Sequence, residues 1–234
     1  MKVGIMQPYF IPYIGYWQLM NAVDKYVVYD DVKYIKKSWI NRNRILVNGI
    51  PKDINILLAD ASQNKNINET TVINNPVYIT KSLRKIEYAY KKAPYFKEVF
   101  PLVEDIFWCG EENVVAYLMN SFKIICEYLD IRTEIFLSSK VDKNCNLKGQ
   151  DKILDICESL NADQYYNATG GKALYSFRAF EEGRIKLIFL QTDNIVYKQF
   201  KNEFQSNLSI LDVMMFNSQE QIEEMLQQYT LITQ

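Results

Sequence analysis

The sequence predicts an α/β fold, a Rossmann-like βαβ core with a helical middle segment as insertion or cap. Three observations lead there. A short apolar run at Lys2 to Met6, a proline-bounded turn, a helical stretch and a β-branched, aromatic run at Tyr26 to Tyr29 follow one another within about thirty residues. Apolar residues at helical spacing then dominate 76–129. Strand-like runs return after residue 130. The expected organisation is one domain over 1–234, with 1–75 and 130–234 as the α/β core and 76–129 as the mainly helical segment. A chain of 234 residues, 48% of them hydrophobic, is long enough to bury such a core.

Taken in order, Lys2 to Met6 reads as a strand, and Pro8 and Pro12 prevent any regular element between them. Helix begins at about Pro12, with Ile14, Trp17, Leu19 and Met20 mostly on one side. Asp24-Lys25 and Asp30-Asp31 bound the second strand. Trp39 to Val47 and Ile54 to Leu58 flank Asn48-Gly49, the strongest two-residue turn signal, so a hairpin is expected. Asp60 to Asn75, rich in Asn, Ser, Gln and Thr, reads as an exposed connection. Helices are expected over Tyr78 to Lys92, closed by Pro94, over Phe96 to Trp108, and over Glu112 to Leu129. Arg132 to Leu137 and Arg184 to Leu190 read as strands, Asp151 to Leu160 as helix, and Ser209 as the N-cap of a helix within Phe204 to Asn217.

Composition removes several classes of function. Lys and Arg number 27 against 28 Asp and Glu, so no global field recruits nucleic acid or an anionic membrane. No apolar run reaches eighteen residues and the start passes directly into a strand, so neither a membrane span nor a signal peptide is expected, and a cytoplasmic protein is. The absence of histidine removes Ser-His and Cys-His nucleophiles and imidazole metal sites. Cys109, Cys126, Cys145 and Cys157 form no C-x-x-C pair, so buried, reduced thiols are expected and no metal site is assigned.

In a βαβ unit the ligand site lies beyond the carboxyl ends of the strands, where Gln7 and Asp30-Asp31 would stand. Adjacent carboxylates there serve as general base, cation ligand or cap, and strand alternation turns only one of them to a pocket. Lys33, Lys36, Lys37, Arg42 and Arg44 fall in a window, Val32 to Lys52, that holds no acid. This is either an anion site, for phosphate or diphosphate, or a solvated charged face. Were Trp39 to Val47 a strand, Trp39, Asn41, Asn43, Ile45 and Val47 would share one face and Ile40, Arg42, Arg44 and Leu46 the other. Asn41 and Asn43 then either read a polar ligand or pin a neighbouring loop. Tyr9 and Tyr16, beside the prolines and Gly15, are candidates for stacking on a base or sugar, against the alternative of core packing. Gly170-Gly171, after a strand-like run, either present backbone N–H groups to an anion or form a tight turn. They do not complete a P-loop, which needs glycine at Tyr166 and Ser or Thr at Ala173. Gln199 completes the candidate set.

Several stretches together resemble the WbqC-like protein family: Gln7 to Tyr16, Tyr29 to Val32 with Asn41-Arg42-Asn43, Ala89 to Phe96, Gly170-Gly171 with Tyr175, and Asn207 to Asp212. The resemblance runs nearly end to end. Many relatives carry histidine where Gln7 stands, so histidine chemistry does not transfer to this chain. What the resemblance implies is transfer of an acyl or aminoacyl group to a nucleotide-linked amino sugar in bacterial surface polysaccharide (O-antigen, lipopolysaccharide) synthesis. In that reading Asp30 or Asp31 takes the amine proton, Lys36, Lys37 or Arg42 binds diphosphate, and Tyr9, Tyr16 and Trp39 stack on base or sugar. Alternatives are a nucleotide-sugar binding module without chemistry, or an assembly partner docking through the basic helix Tyr78 to Lys92. The opening strand, loop and Tyr13-Ile14-Gly15-Tyr16 also look like the HIGH-motif nucleotidyltransferases with both histidines replaced by tyrosine. The residues specify no cofactor, acyl donor or oligomeric state.

Overall fold

The structure, a computed structural model, describes residues 1–59 and 61–233. Strand β1 (Lys2–Met6) leads through the proline loop into α1 (Ile14–Asn21). This helix is buried along nearly its whole length because it lies on the sheet beneath other helices. β2 (Lys25–Val28) returns parallel to β1, with Val3 opposite Lys25 and Met6 opposite Val28. β3 (Arg42–Val47) and β4 (Ile50–Asn55) form the hairpin on Asn48-Gly49, whose φ angles of 51° and 75° are those its tight turn requires. β5 (Leu58–Ala59) and β6 (Thr71–Val72) make a short second ladder.

Three helices follow: α2 (Pro76–Tyr90), capped where Asn75 accepts the Tyr78 N–H, α3 (Phe96–Phe107), and α4 (Val114–Tyr128), capped by Asn113. The remainder is β7 (Glu134–Leu137), α5 (Gly149–Ser159), β8 (Gln164–Ala168), α6 (Phe177–Glu182), β9 (Lys186–Thr192), α7 (Ile210–Phe216), capped by Ser209, α8 (Gln219–Leu226) and β10 (Tyr229–Ile232).

The central sheet has the order β10-β9-β8-β1-β2-β7 and is parallel except for β10, which runs against β9. This is the Rossmann-like arrangement. From β1 the chain steps outward through β2 to β7, then crosses back to lay β8 on the other side of β1. The strand order therefore reverses between β1 and β8, which is where α/β sheets open a crevice for ligands. Alternation sends Val3, Ile5, Val27, Tyr165 and Phe189 to one face, packed with α5 and α6 residues such as Ile153 and Phe180. Tyr26, Val28, Tyr166, Ile188 and Leu190 face the other way, into a larger core shared by α1, α2, α3, α4 and α7. The helical middle segment is thus a cap over one sheet face, continuous with the core beneath it. No helix among the described residues is long and apolar enough to cross a membrane.

The details depart from expectation in places. β3 starts at Arg42 and β4 occupies Ile50–Asn55, three to four residues earlier than the apolar run at Ile54 to Leu58 indicated, because Asn48-Gly49 allows only two turn residues. Asp60 lies outside the described residues. Residues 61–75 do more than connect, since Ile67, Thr70 and Val72 are buried and the Ile67 and Asn68 N–H groups bond to the Val32 and Asp30 carbonyls. Of the four thiols only Cys126 and Cys157 are buried, where loss of solvation pushes each up to about 12. Cys109 is half-buried and Cys145 exposed.

Gly15 shows how tightly α1 is seated. A Cβ there would fall on the Thr192 hydroxyl and within 2.5 Å of the Tyr13 ring. Gly15→Ala is therefore expected to cost about 1–3 kcal/mol by overpacking, although alanine is the better helix former, and a urea melt measures it.

Candidate functional site

The loops leaving the carboxyl ends of β1, β2, β7 and β8 bring most of the candidate residues to one rim of the sheet. Gln7 and Tyr9 leave β1. Tyr9 is half-buried, its ring 5.6 Å from that of Tyr16, and burial raises its hydroxyl above the ordinary range. Tyr16 itself is 1% exposed and donates to the Gln7 carbonyl, so it is a core residue shaping the loop from below, unavailable for stacking.

The two aspartates, in the loop just beyond β2, take different partners. Asp30, 1% exposed, accepts from the Ser139 N–H (2.9 Å) and hydroxyl (2.6 Å) and from Asn68 Nδ2 (3.2 Å). Asp31 accepts from Ser138 Oγ at 2.7 Å, and its Oδ2 lies 3.1 Å from Lys143 Nζ and 2.9 Å from Lys152 Nζ. Those two side chains are 2% and 8% exposed, so one carboxylate is the shared counter-charge of two buried ammonium groups and leaves the cluster with a net positive charge. Lys143 also donates to the Ser138 carbonyl, and Lys152 lies 5.2 Å from the Tyr29 ring centre. Burial alone would raise the Asp31 pKa. The bonds from Lys152, Ser138 and Lys143 outweigh it and hold the carboxyl below the usual range. Among the described residues no three Cys, Asp or Glu side chains gather as a metal-binding set.

The basic segment folds into a compact group beside this rim. Trp39, 37% exposed, has the Arg42 guanidinium 5.3 Å and the Arg44 guanidinium 5.5 Å from its ring centre. Because β3 begins only at Arg42, Trp39 escapes the strand alternation and joins the arginine side, where the expected face assignment had separated them. Arg42 Nη2 donates to the Lys37 carbonyl at 2.5 Å, drawing in the exposed Lys36-Lys37 turn, in which Lys37 has φ 60°. Among the described residues neither arginine forms an ion pair, and the Nε atom of each is buried without a hydrogen-bond partner. Segment and rim are joined directly, since the Phe10 N–H donates to the Trp39 carbonyl at 2.8 Å.

The asparagines take the pinning role. Asn43 Nδ2 donates to the carbonyls of Phe10 (3.0 Å) and Ile11 (2.8 Å), and Asn41 is bonded to the Tyr34 hydroxyl and the Ile56 carbonyl. Gln199, 1% exposed, is likewise internal, donating at 2.6 Å to the buried carboxylate of Asp212, which also accepts from the Tyr90 and Tyr197 hydroxyls. Burial raises the Asp212 pKa against the pull of those three donors. Gly170 and Gly171 sit in the 3-10 turn Thr169–Leu174 directly after β8, across the strand reversal from Gln7. Gly170 faces open space. A Cβ on Gly171 would lie 3.0 Å from the Asn167 carboxamide oxygen. Asn167 in turn donates to the Tyr165 and Tyr175 hydroxyls, forming the floor of this side of the rim.

A family model, that of the WbqC-like protein family, matches residues 7–224. The chain belongs to the WbqC-like family. It is 27% identical over 216 residues to the uncharacterized protein Rv1507c of Mycobacterium tuberculosis (strain ATCC 25618 / H37Rv), a match spanning 91% of this chain and 92% of that one. No solved structure matches. The stretches that carry the WbqC-like resemblance meet in space: Asn43 holds Phe10 and Ile11, Ser209 Oγ donates to the same Ile11 carbonyl at 2.9 Å, and Tyr90 joins Leu46 to Asp212. Lys143, Lys152, Ser138 and Ser139 are not among the sequence candidates, whereas Arg44 is, as a charge of the basic window sharing a strand face with Arg42. Nothing in local spacing marks the lysines.

Proposed function

We propose that this WbqC-like protein binds a nucleotide-linked amino sugar and transfers an acyl or aminoacyl group to its amine, in the synthesis of bacterial surface polysaccharide. The observation that carries the binding half is the pair of arginines flanking Trp39, without carboxylate partners among the described residues, on a segment hydrogen-bonded to the loop that leaves β1 at the strand reversal. Guanidinium groups in that state suit a diphosphate, and the adjacent indole suits a base or sugar ring. Lys36 and Lys37 add charge at the edge. The transfer half rests on the family resemblance. Asp30 is enclosed by its three donors and Asp31 is held by two ammonium groups, so in this reading neither takes the amine proton. The amine attacks the donor's thioester or ester carbonyl, the amide C–N bond forms as the C–S or C–O bond breaks, and the amine proton passes through water to the departing thiolate or alkoxide, while Asp31 holds Lys143 and Lys152 in place. The engagement of both carboxylates is also the observation that favours a second reading, binding of the same ligand without turnover.

Titration calorimetry with UDP- and dTDP-linked amino sugars tests the binding half. Arg42→Ala with Arg44→Ala is expected to weaken binding at least tenfold, by the loss of charge-assisted bonds of about 1.5–3 kcal/mol. Equal affinity in the variant, or no binding of either sugar at millimolar concentration, overturns the proposal. Mass spectrometry of the bound sugar after incubation with acyl-coenzyme A or aminoacyl-tRNA separates the transferase from the binding module.

A further inference from the structure

At the turn end of the β3–β4 hairpin, a hollow of about 300 Å³ lies between the Asn48-Gly49 turn, the end of α2 and the segment around Phe200. We propose that this hollow is a second binding site, for an anionic saccharide unit. Its charge is one-sided. Lys91 and Lys92 line it, no acid does, and neither lysine forms an ion pair among the described residues. Its polar groups suit hydroxyls. Asn48 Nδ2 approaches the Tyr88 hydroxyl at 3.5 Å and Asn202 Nδ2 donates to the Gln199 carbonyl at 3.3 Å, which leaves both carboxamide oxygens as unengaged acceptors among the described residues. Tyr88, 59% exposed, supplies the aromatic surface on which the apolar face of a sugar ring packs.

The walls are built in advance, which separates this hollow from an ordinary basic surface. Phe200 lies in the left-handed region at φ 54°, a rare conformation for a bulky residue. It is locked there by its ring against Phe216 at 4.7 Å and by Gln199, which bonds both the N–H and the carbonyl of Gln205. Opposite, a Cβ on Gly49 would come within 2.8 Å of Asn202 Oδ1, so the two sides close to this width only with glycine in place. A rigid wall lowers the ordering cost of binding. The choice of a saccharide rests on the proposed carbohydrate role, whereas the preference for an anion rests on the lysines alone.

The test is amide chemical-shift mapping of the full chain with a hyaluronan tetrasaccharide, with neutral chitotetraose and inorganic phosphate as comparison probes. Shifts at Asn48, Gly49 and Asn202 are expected with hyaluronan only. Lys91→Ala with Lys92→Ala should weaken the apparent affinity at least tenfold, and Arg42→Ala with Arg44→Ala should leave it unchanged. Equal response to phosphate would reduce the hollow to a plain anion patch and overturn the saccharide assignment. No response, response confined to Trp39 and its arginines, or equal response to chitotetraose overturns the site as proposed. Because the nucleotide-sugar titration reads the arginine pair and the shift mapping reads the hollow, the two failures are distinguishable: failure here leaves the nucleotide-sugar reading standing, whereas failure of that reading leaves the hollow only its preference for an anion.

Discussion

Asp31→Ala is expected to destabilise the fold by about 3–5 kcal/mol, the cost of leaving buried ionic groups without their counter-charge. Lys143 and Lys152 reach Asp31 from beyond β7, so the loss also loosens the 138–152 region, which is then held to the end of β2 mainly through the Ser139 bonds to Asp30. The same carboxylate gives stability a pH dependence whose sign follows from its lowered pKa in the fold. Above the ordinary value of about 3.9 it is charged both folded and unfolded, and the ion pairs contribute in full. As pH falls through that value towards the lower folded one, the unfolded chain takes up the proton first and the contribution is lost. Urea melts at neutral pH and at decreasing acid pH, compared between the native chain and Asp31→Asn, should show their stability difference shrinking as pH drops. A difference constant with pH would remove Asp31 from this role.

Asn43→Ala is expected to cost about 2–4 kcal/mol, since the buried carbonyls of Phe10 and Ile11 both lose a donor. The effect extends beyond the two bonds because Ile11 sits at φ 42°, where a β-branched residue is unfavourable by about 1–2 kcal/mol. Asn43 and Ser209 clamp that peptide from two separate parts of the chain. Ser209→Ala leaves the Asn43 bonds in place and should cost about 1 kcal/mol as a lost hydrogen bond, somewhat more if its cap is counted. The double variant should be non-additive, because both side chains hold one carbonyl, and a double-mutant cycle measures that coupling. Weaker nucleotide-sugar binding in Asn43→Ala, at a temperature where it remains folded, is the expected consequence at the rim.

What was legible in the sequence was local. Pro12 opening a helix, Asn48-Gly49 turning a hairpin and the acid-free window around Arg42 each declare themselves within a few residues; the helix begins at Ile14 and the hairpin turns on Asn48-Gly49, although its strands are offset from the apolar runs. Tyr16, Asn43 and Gln199 were ambiguous for a physical reason: an aromatic ring or carboxamide serves a ligand and a buried contact equally well, and only burial distinguishes them. Asp31 could be noticed, but not its engagement, because Lys152 is 121 residues away and no periodicity connects them. β10 escaped notice since Tyr229–Ile232 is short, half-exposed and paired antiparallel at the sheet edge, with no alternation or turn to announce it.

The central position of β1 imposes an order on synthesis. β2 can dock as soon as α1 has formed, but the other neighbour, β8, pairs Gln164 with Lys2, at the far end of a long intervening stretch. While that stretch is being translated, one edge of a central strand of the sheet has no partner. A half-sheet of β1, β2 and β7 on the ribosome therefore presents open backbone N–H and C=O groups to other nascent chains. Closing this loop is slow by its length, so the yield of folded protein should depend on elongation rate and on chaperones that shield strand edges.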